Sequence, residues 1–278
     1  MSDTEPTPRP PRRPRVLRTL EVLGVTQVTP RVTRITLAGP QLAGFASRAP
    51  AEHIKVFLPR PDEREAPRTV PGPDGPVFPP ELPRPLSRTY TPRQFRAESL
   101  ELDVDFVLHG DGPGSAWAAH VRPGDTVVIG GPGGGYRRPP EVSHLVIGGD
   151  ETSLPAISMV LAALPASARA DVFVEVENRD EEQPLDSAAR VSLNWLHLGD
   201  GGVQRAAPGA LLEAAIRGAK LPNGGGQVWI ACEAQAMRGI RAHLLHERGL
   251  DPASLYTRGY WQVGETNHPD HDYGEDVT

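Results

Sequence analysis

Arg88-Thr89-Tyr90-Thr91-Pro92-Arg93 is the most distinctive segment of this chain, because it places cations, an aromatic ring and hydroxyl groups side by side. On an extended strand side chains alternate between faces, so Arg88, Thr89 and Tyr90 cannot all point one way. Tyr90 can stack on a flat ring, Arg88 or Arg93 can reach a phosphate, and Thr91 offers a small hydrogen-bond donor. Taken alone, the segment is equally compatible with an ordinary strand that carries surface arginines.

The composition sets the broad class of protein. The chain has 278 residues, 38% hydrophobic and 23% charged, which is typical of a globular protein with two medium domains or one large one. The net charge of −6 argues against a general nucleic-acid binder. The single cysteine, Cys232, excludes an intramolecular disulfide and a cysteine-ligated iron–sulfur cluster. Neither a membrane span nor a secretory signal is apparent, so we expect a cytoplasmic protein.

The first half, residues 16–142, is predicted to form an antiparallel six-stranded β-barrel. Repeated short β-branched segments separated by turn signals are typical of such a barrel. The clearest strand candidates are residues 31–39, 52–59, 99–108 and 125–130. Between residues 59 and 85 prolines recur every few positions, which predicts a long loop, either an unstructured insert or a functional flap.

The second half, residues 143–264, is predicted to be a parallel-sheet α/β nucleotide-binding domain. Strands that alternate with helices imply βαβ units with ligands at the carboxyl ends of the strands. The predicted strands are 144–147, 171–177, 191–198, 227–232 and 255–261, and the predicted helices are 150–164, 208–217 and 234–248. The Pro- and Arg-rich residues 1–15 and the acidic residues 265–278 are predicted to be flexible tails.

Glycine-rich segments interrupt both halves. The segment from His109 to Trp117 follows a predicted strand, and Ser115 is predicted to cap a short helix over residues 116–120. A helix N-terminus preceded by glycines is a ready anion site, although a plain strand-turn-helix connection explains the isolated motif better. The run over residues 130–136 is predicted to be a glycine-rich interdomain turn.

Three further motifs stand at predicted strand ends in the second half. Residues 150–155 (Asp-Glu-Thr-Ser-Leu-Pro) place acids at a helix start, where they complement the helix dipole. Residues 231–234 (Ala-Cys-Glu-Ala) place Cys232 in a strand, where it is predicted to be a small buried residue rather than a nucleophile. Residues 258–261 (Arg-Gly-Tyr-Trp) end the last strand, where adjacent aromatic rings usually belong to the core.

Taken in order, these motifs resemble those of the siderophore-interacting proteins, which are flavin-dependent ferric-siderophore reductases of the ferredoxin-reductase-like superfamily. The matching patterns are R-x-Y-[ST] followed by Pro-Arg at 88–93, the glycine-rich segment at 109–117, D-E-T-x-x-P at 150–155, A-G-E-A at 231–234 and [KR]-x-Y-W at 258–261. Cys232 departs from the pattern, since it replaces a common glycine. The resemblance spans about residues 16–264.

The resemblance implies a non-covalently bound FAD with NADH or NADPH as electron donor. It implies that hydride passes to the flavin and that single electrons then reduce Fe(III) in a ferric siderophore, releasing Fe(II). The cofactor-binding residues that it implies are Arg88, Thr89, Tyr90, Thr91, Arg93, His109, Gly114, Ser115, Ala116, Trp117, Asp150, Glu151, Thr152, Glu233 and Trp261.

The siderophore pocket is predicted to consist of Lys55, Arg137 and Arg258, with Thr91 as a further catalytic residue. Many ferric siderophores are anionic, so a chain of negative net charge needs a local concentration of cations to bind one. The acidic stretch over residues 175–182 favours NADH, because an acid repels a 2′-phosphate, although Arg179 argues for NADPH.

Other assignments remain open at this point. A ferredoxin is an alternative electron donor, and we expect a monomer without a resident metal site. A general flavin reductase of the same fold is the nearest alternative enzyme. A siderophore carrier that binds flavin or ferric chelate without turnover is the alternative from another class.

Overall fold

The computed structural model describes residues 16–60, 63–73, 75–109, 112–199, 205–221, 226–269 and 272–274. The predicted tail over residues 1–15 therefore lies outside the described residues. The strands are β1 (Leu17–Thr29), β2 (Val32–Ala38), β3 (Glu52–Phe57), β4 (Ser87–Tyr90), β5 (Pro92–Arg96), β6 (Glu101–Val107), β7 (Thr126–Gly134), β8 (His144–Asp150), β9 (Arg169–Val176), β10 (Arg190–His197), β11 (Gly226–Glu233) and β12 (Leu255–Trp261). The α-helices are α1 (Pro113–His120), α2 (Leu154–Ala162), α3 (Ala210–Gly218) and α4 (Ala234–Ala242).

Strands β1 to β7 form one antiparallel sheet in the order β4-β3-β7-β1-β2-β6-β5. The sheet has seven strands rather than the predicted six, and the extended segment around Thr91 divides into β4 and β5, which pair with different neighbours. The alternation predicted for β6 is confirmed, since Leu102, Val104 and Phe106 are fully buried in one hydrophobic cluster. The Arg88 segment therefore runs from one edge strand of this sheet, β4, to the other, β5.

Strand β7 continues through the glycine run, where the sequence predicted a turn. A Cβ on Gly130 would lie 3.1 Å from a methyl of Leu17 and 3.2 Å from the ring of Phe57, so a larger residue would have to displace these side chains slightly. Gly131 follows with a φ of +126°, which other residues rarely adopt. The glycines therefore carry the strand past two bulky neighbours toward β3.

The predicted long loop before β4 is largely irregular, with one isolated bridge between Val70 and Val77. It packs against the first sheet through Phe78, whose ring meets that of Phe57 edge-on at 4.7 Å. The Ala66 amide also donates to Thr126 Oγ1 at 2.7 Å. The described part of the loop is thus attached to β7.

Strands β8 to β12 form a parallel sheet in the order β10-β9-β8-β11-β12, as the alternation of strands and helices predicted. The central strands β8 and β11 are almost entirely buried, which fits a sheet covered on both faces. Within the described ranges no helix combines the length and the apolarity that a membrane crossing requires.

Two helices of this sheet start later than predicted, because side chains from neighbouring strands fix their N-termini. Asp150 ends β8 and accepts from the Thr152 amide at 2.9 Å, so a short 3-10 turn precedes α2. Glu175 of β9 accepts from the amides of Gly209 at 2.5 Å and Leu212 at 3.1 Å, which caps α3. Gly209 adopts a φ of +83°, so α3 cannot begin before it.

The turn between β1 and β2 connects the two sheets. Thr29 Oγ1 donates to Glu181 Oε2 at 2.5 Å, and the Arg31 amide donates to the same oxygen at 3.3 Å. The Arg31 guanidinium pairs with Glu177 and lies 3.6 Å from Glu151 Oε2. A single turn of the antiparallel sheet thereby contacts three carboxylates at the carboxyl ends of β8 and β9.

Candidate active site

A cavity of about 510 Å³ lies where the two sheets meet. Its walls come from β4 and the residue after it (88–91), the end of β6 and its connection to α1 (105, 107, 109, 112, 114 and 115), the start of α2 (152 and 155), β12 with the residues after it (258–261 and 264–269), and β3 with the residues before it (51 and 53). Four of the segments singled out by the sequence therefore face one space. Their convergence depends on contacts between residues far apart in the chain.

Tyr90 and Arg88 share one face of β4, opposite to that of Thr89. The register pairs Tyr90 with Ile54 and Arg88 with Val56, two core residues. The Tyr90 ring packs on Phe106 with centroids 4.1 Å apart, and burial raises the pKa of Tyr90, which keeps it a neutral phenol.

Gly114, in the first turn of α1, lets the helix approach Tyr90 closely. A Cβ at this position would lie only 2.2 Å from the Tyr90 hydroxyl oxygen and 3.7 Å from Cγ of Arg88. The glycine therefore allows the N-terminus of α1 to lie against β4. This contact brings the Arg88 side chain beside the first amides of the helix.

The sequence predicted that Ser115 caps the N-terminus of α1, and this prediction is wrong. The helix starts earlier, at Pro113, with Gly112 as its N-cap and no side-chain cap. Ser115 instead donates to the carbonyls of His109 at 3.0 Å and Val107 at 3.2 Å, alternatives for one hydroxyl proton, and thereby ties α1 to the end of β6. The amides at the start of the helix remain the donors expected to face an anion.

Arg88 is half-buried between this helix and the residues after β12. Its Nη1 donates to the Ser87 carbonyl at 2.8 Å and to Asn267 Oδ1 at 3.4 Å, and burial lowers the pKa of its guanidinium. Both acceptors are neutral oxygens. Arg88 together with the N-terminus of α1 is a donor set suited to a phosphate group.

The other predicted residues of these motifs lie in different surroundings. Thr91 is buried and hydrogen-bonded to the Tyr260 side chain, whereas Thr89 is exposed at the cavity wall. Arg93 lies 4.0 Å from an Asp105 carboxylate oxygen. Trp117 packs on the ring of Phe106 at 5.3 Å, and Ala116 is exposed. Among the described residues, the cavity wall includes neither Arg93, Ala116 nor Trp117.

Asp150 organises the opposite wall of the cavity. Its buried carboxylate accepts from Thr152 Oγ1 at 2.5 Å, from the Glu233 amide at 2.9 Å and from Trp261 Nε1 at 2.8 Å. Burial raises the pKa of Asp150, and these hydrogen bonds oppose the rise. The Trp261 ring lies 5.8 Å from that of His109, whose pKa burial lowers.

The other acids predicted to contact a cofactor are hydrogen-bonded to groups of the protein itself. Glu233 accepts from the Ala236 amide at 2.9 Å, which caps α4, and from the Val263 amide at 3.2 Å. Glu151 accepts from the Glu177 amide at 2.6 Å. Glu177 pairs through both oxygens with Arg205, at 2.8 and 2.9 Å, besides its contact with the turn after β1. Arg179 is exposed.

The three residues predicted to form the siderophore pocket are placed differently from one another. Arg258 is buried at the cavity wall. Lys55 stands directly opposite Thr89 in the pairing of β3 with β4. Arg137 is exposed, while its neighbour Arg138 donates to the carbonyls that follow it. The described part of the cavity wall contains neither Lys55 nor Arg137.

His53 joins this group, although the sequence analysis did not single it out. A Cβ on Gly134 would lie 2.8 Å from His53 Nδ1 and 3.6 Å from Arg258 Nη2, so both groups flank this glycine. His53 and Lys55 alternate with buried neighbours on β3 and therefore share a face. The same alternation in the sequence would have placed His53 on the face of Lys55, and it was the signal that could have identified His53.

The C-terminal segment, residues 264–269 and 272–274, packs against β12 and α4, although a flexible tail was predicted there. The Asp272 carboxylate accepts from Arg238 Nη2 at 2.7 Å and from the Gly274 amide at 3.0 Å, and it lies 2.8 Å from His268 Nε2. The Asp272 carbonyl accepts from the Gly259 amide at 2.9 Å. These polar contacts place residues 264–269 along the cavity.

The fold belongs to the ferredoxin-reductase-like class. A ferredoxin reductase of carbazole 1,9a-dioxygenase superimposes with a TM-score of 0.62 at 14% identity, covering 90% of this chain and 71% of the other. Residues 21–136 match the siderophore-interacting FAD-binding domain, and residues 142–264 match the siderophore-interacting protein domain.

Individual relatives agree with these domain matches. Ferric vibriobactin reductase ViuB of Vibrio cholerae is 30% identical over 86% of this chain and 87% of its own length. A protein of Escherichia coli named NADPH-dependent ferric-chelate reductase is 30% identical over 83% of this chain and 87% of its own. The crystal structure of a siderophore utilization protein from T. fusca superimposes with a TM-score of 0.81 at 38% identity, covering 93% and 97%. The chain belongs to the siderophore-interacting protein family.

Proposed function

We propose that this protein is an NAD(P)H-dependent ferric-siderophore reductase that holds FAD non-covalently. The observation that carries the proposal is the single cavity that brings together Arg88, the N-terminus of α1, Trp261 and Arg258. One wall offers donors for a phosphate, and the other offers aromatic and cationic groups. The names of the relatives support the same reaction.

The residues of the first sheet fit FAD. Arg88 and the amides at the start of α1 suit its pyrophosphate, and Tyr90 offers a ring held by packing at the cavity wall. Thr91 and His109 complete this wall. When bound, FAD accepts two electrons together as a hydride and releases them singly, which the reduction of Fe(III) requires.

The domain division follows from this assignment. We assign residues 16–142 to the FAD domain and 143–264 to the NAD(P)H domain. Asp150 and Thr152 lie at the carboxyl end of β8, where parallel sheets bind ligands. Glu151 and Glu233 support this wall indirectly, because their carboxylates accept hydrogen bonds from backbone amides.

The substrate is a ferric siderophore that approaches from the side of β3 and β12. Arg258 contributes a buried cation there, and Lys55 adds a second one on the face that His53 shares. A local positive charge attracts an anionic chelate despite the net charge of −6. After reduction Fe(II) leaves, because it is held less tightly than Fe(III) by hard oxygen donors.

Anaerobic reduction of the FAD-loaded protein tests the proposal. Adding NADH or NADPH should bleach the flavin absorbance, and a ferric chelate should restore it. The absorbance of an Fe(II)-binding dye should rise at the same rate. Reoxidation by free flavin or ferredoxin but not by ferric chelates would favour a general flavin reductase. Persistent flavin colour after addition of either nicotinamide would favour a non-catalytic carrier.

Three finer assignments are part of the same proposal. We expect a cytoplasmic location, where reduced nicotinamides are available, and a monomer. A ferredoxin remains the alternative electron donor. The same anaerobic experiment with reduced ferredoxin in place of the nicotinamide distinguishes the two donors.

A further inference from the structure

Arg258 lies between the cavity and the ring of Tyr273 in the C-terminal segment. Its guanidinium carbon is 4.6 Å from the centroid of the Tyr273 ring, and the arginine is 7% exposed. This distance is that of a cation–π contact. The ring therefore covers one face of the guanidinium.

The position of Tyr273 is fixed by its backbone. The Tyr273 carbonyl accepts from Thr257 Oγ1 at 2.6 Å, next to Arg258 in β12. The preceding residue, Asp272, is held by Arg238 and by the Gly259 amide. A Cβ on Gly259 would lie 2.6 Å from Asp272 Oδ2, so glycine is needed for this close docking.

The same segment reaches the second cation of the cavity. Asn267 Oδ1 lies 3.4 Å from Nη1 of Arg88, and residues 264–269 line the cavity between the two arginines. The segment thus contacts the cation assigned to the flavin phosphate and the cation assigned to the substrate. A tail without a role in the site would not require both contacts.

We propose that the C-terminal segment is part of the substrate site and that Tyr273 is a positioning residue, which orients Arg258 toward an anionic ferric chelate. A ring against one face restricts the guanidinium to one plane, so that less side-chain freedom is lost when the chelate binds. Nη2 of Arg258 is then directed to the region of Gly134 and His53. This inference rests on the proposed function.

The test uses the FAD-loaded full-length protein and measures binding by titration calorimetry. The probe is the gallium(III) tris-catecholate complex, a trianion that matches the ferric complex in charge but is not reduced. We expect Tyr273→Ala to raise its dissociation constant about three- to tenfold and Tyr273→Phe, which keeps the ring, to restore the wild-type value. The uncharged gallium(III) tris-hydroxamate complex should bind all variants equally.

A double-mutant cycle separates positioning from a general effect on structure. If Tyr273 acts through Arg258, the Arg258→Ala/Tyr273→Ala variant should bind the trianion no more weakly than Arg258→Ala. Additive losses, equal losses for both gallium complexes, or an unchanged constant in Tyr273→Ala would each overturn the inference. A wild type that binds the trianion but does not reduce its ferric counterpart would refute the proposed function and leave the positioning role intact. Thermal melting and FAD content establish that each variant is folded.

Discussion

Nε1 of Trp261 donates a hydrogen bond of 2.8 Å to Oδ2 of Asp150, which ties the last strand of the parallel sheet to the first. The two residues are separated by 111 positions in the sequence. Because the Asp150 carboxylate also receives the Glu233 amide, one buried acid connects β8, β11 and β12 at the cavity wall. The ring of Trp261 is thereby held against His109 of the first half.

Replacing Trp261 by Phe should cost more stability at neutral pH than in acid. The substitution removes one donor to a buried carboxylate, about 1.5–3 kcal/mol, and raises the pKa of Asp150 further above its ordinary value. The extra loss is complete where Asp150 is ionised and disappears as the pH falls through its folded-state pKa. Urea unfolding at several pH values measures it.

Trp229→Phe is the matched control for this pH dependence. Trp229 is fully buried and its Nε1 has no hydrogen-bond partner, so its replacement removes packing without removing a donor to an acid. The loss of stability in this variant should be the same at all pH values. A pH-independent loss in Trp261→Phe as well would contradict the role of the indole hydrogen bond.

Gly114→Ala should destabilise the protein, although alanine ordinarily stabilises a helix by about 0.5–1 kcal/mol relative to glycine. The new methyl group would lie 2.2 Å from the Tyr90 hydroxyl oxygen. We expect a loss of about 1–3 kcal/mol and weaker FAD retention, measured by thermal unfolding and flavin absorbance. Adding Tyr90→Phe removes the clashing oxygen and should recover most of the stability.

Gly218→Ala provides the control for this substitution. Gly218 ends α3, and a Cβ there would have nothing within 4 Å. We expect no loss of stability or a small gain. If Gly114→Ala behaves in the same way, α1 can move away from β4 without cost and the close approach is not required.

Arg88→Ala should yield a folded protein that loses FAD on dilution. A charge-assisted phosphate contact contributes about 1.5–3 kcal/mol, which corresponds to a rise of roughly 10- to 100-fold in the dissociation constant of FAD. Ultrafiltration followed by flavin absorbance measures the retained fraction. Arg169→Ala removes an exposed arginine from the other sheet and should retain FAD fully. Full occupancy in dilute Arg88→Ala would reject the phosphate assignment.

Lys55→Ala and Arg258→Ala should slow iron reduction without slowing flavin reduction. Both variants lose a cation predicted to attract an anionic ferric siderophore, and high salt should reduce the wild-type advantage. Stopped-flow measurements of flavin bleaching by the nicotinamide and of its reoxidation by the chelate separate the two steps. Arg190→Ala, at an exposed position at the start of β10, controls for net charge. Equal slowing of both steps would place the pocket elsewhere.

Glu177→Gln should shift the donor preference from NADH toward NADPH. Glu177 pairs with both Arg31 and Arg205, so its carboxylate competes with a 2′-phosphate for these arginines. Neutralising it should raise kcat/KM for NADPH relative to NADH by about tenfold. Glu213→Gln, on α3 where the carboxylate pairs with Arg217, should leave the ratio unchanged. A wild type with a clear NADPH preference would refute the prediction that this site selects NADH.

Local sequence patterns predicted many strands and helices, but they missed the longest strand, β1. Leu23 is 53% exposed although it is apolar, and a register irregularity between Val22 and Gly24 then interrupts the pairing with β2. The pattern before the bulge therefore does not continue after it. Strand β6 (Glu101–Val107), whose pairing with β2 is regular, lies within the predicted range 99–108.

The candidate site was only partly predictable for a related reason. Arg88, Gly114 and Arg258 stand in short motifs that the sequence displays directly. The contacts of Asp150 with Trp261 and of Asp272 with Gly259 form only when separate elements meet, so no spacing along the chain predicts them. The acidic tail looked unstructured because its polar residues find their partners on β12 and α4.

The turn that carries Thr29 and Arg31 has a consequence for how the protein unfolds. Glu181 is fully buried and its Oε2 accepts from both Thr29 Oγ1 and the Arg31 amide, so a substitution that removes the Thr29 hydroxyl leaves this buried carboxylate with one donor fewer. Losing partners of a buried charge is costly compared with the stability of a typical domain. The two halves therefore stabilise each other's folded state, and a substitution in the β1–β2 turn should lower the stability of the nucleotide-binding half as well as that of the first half.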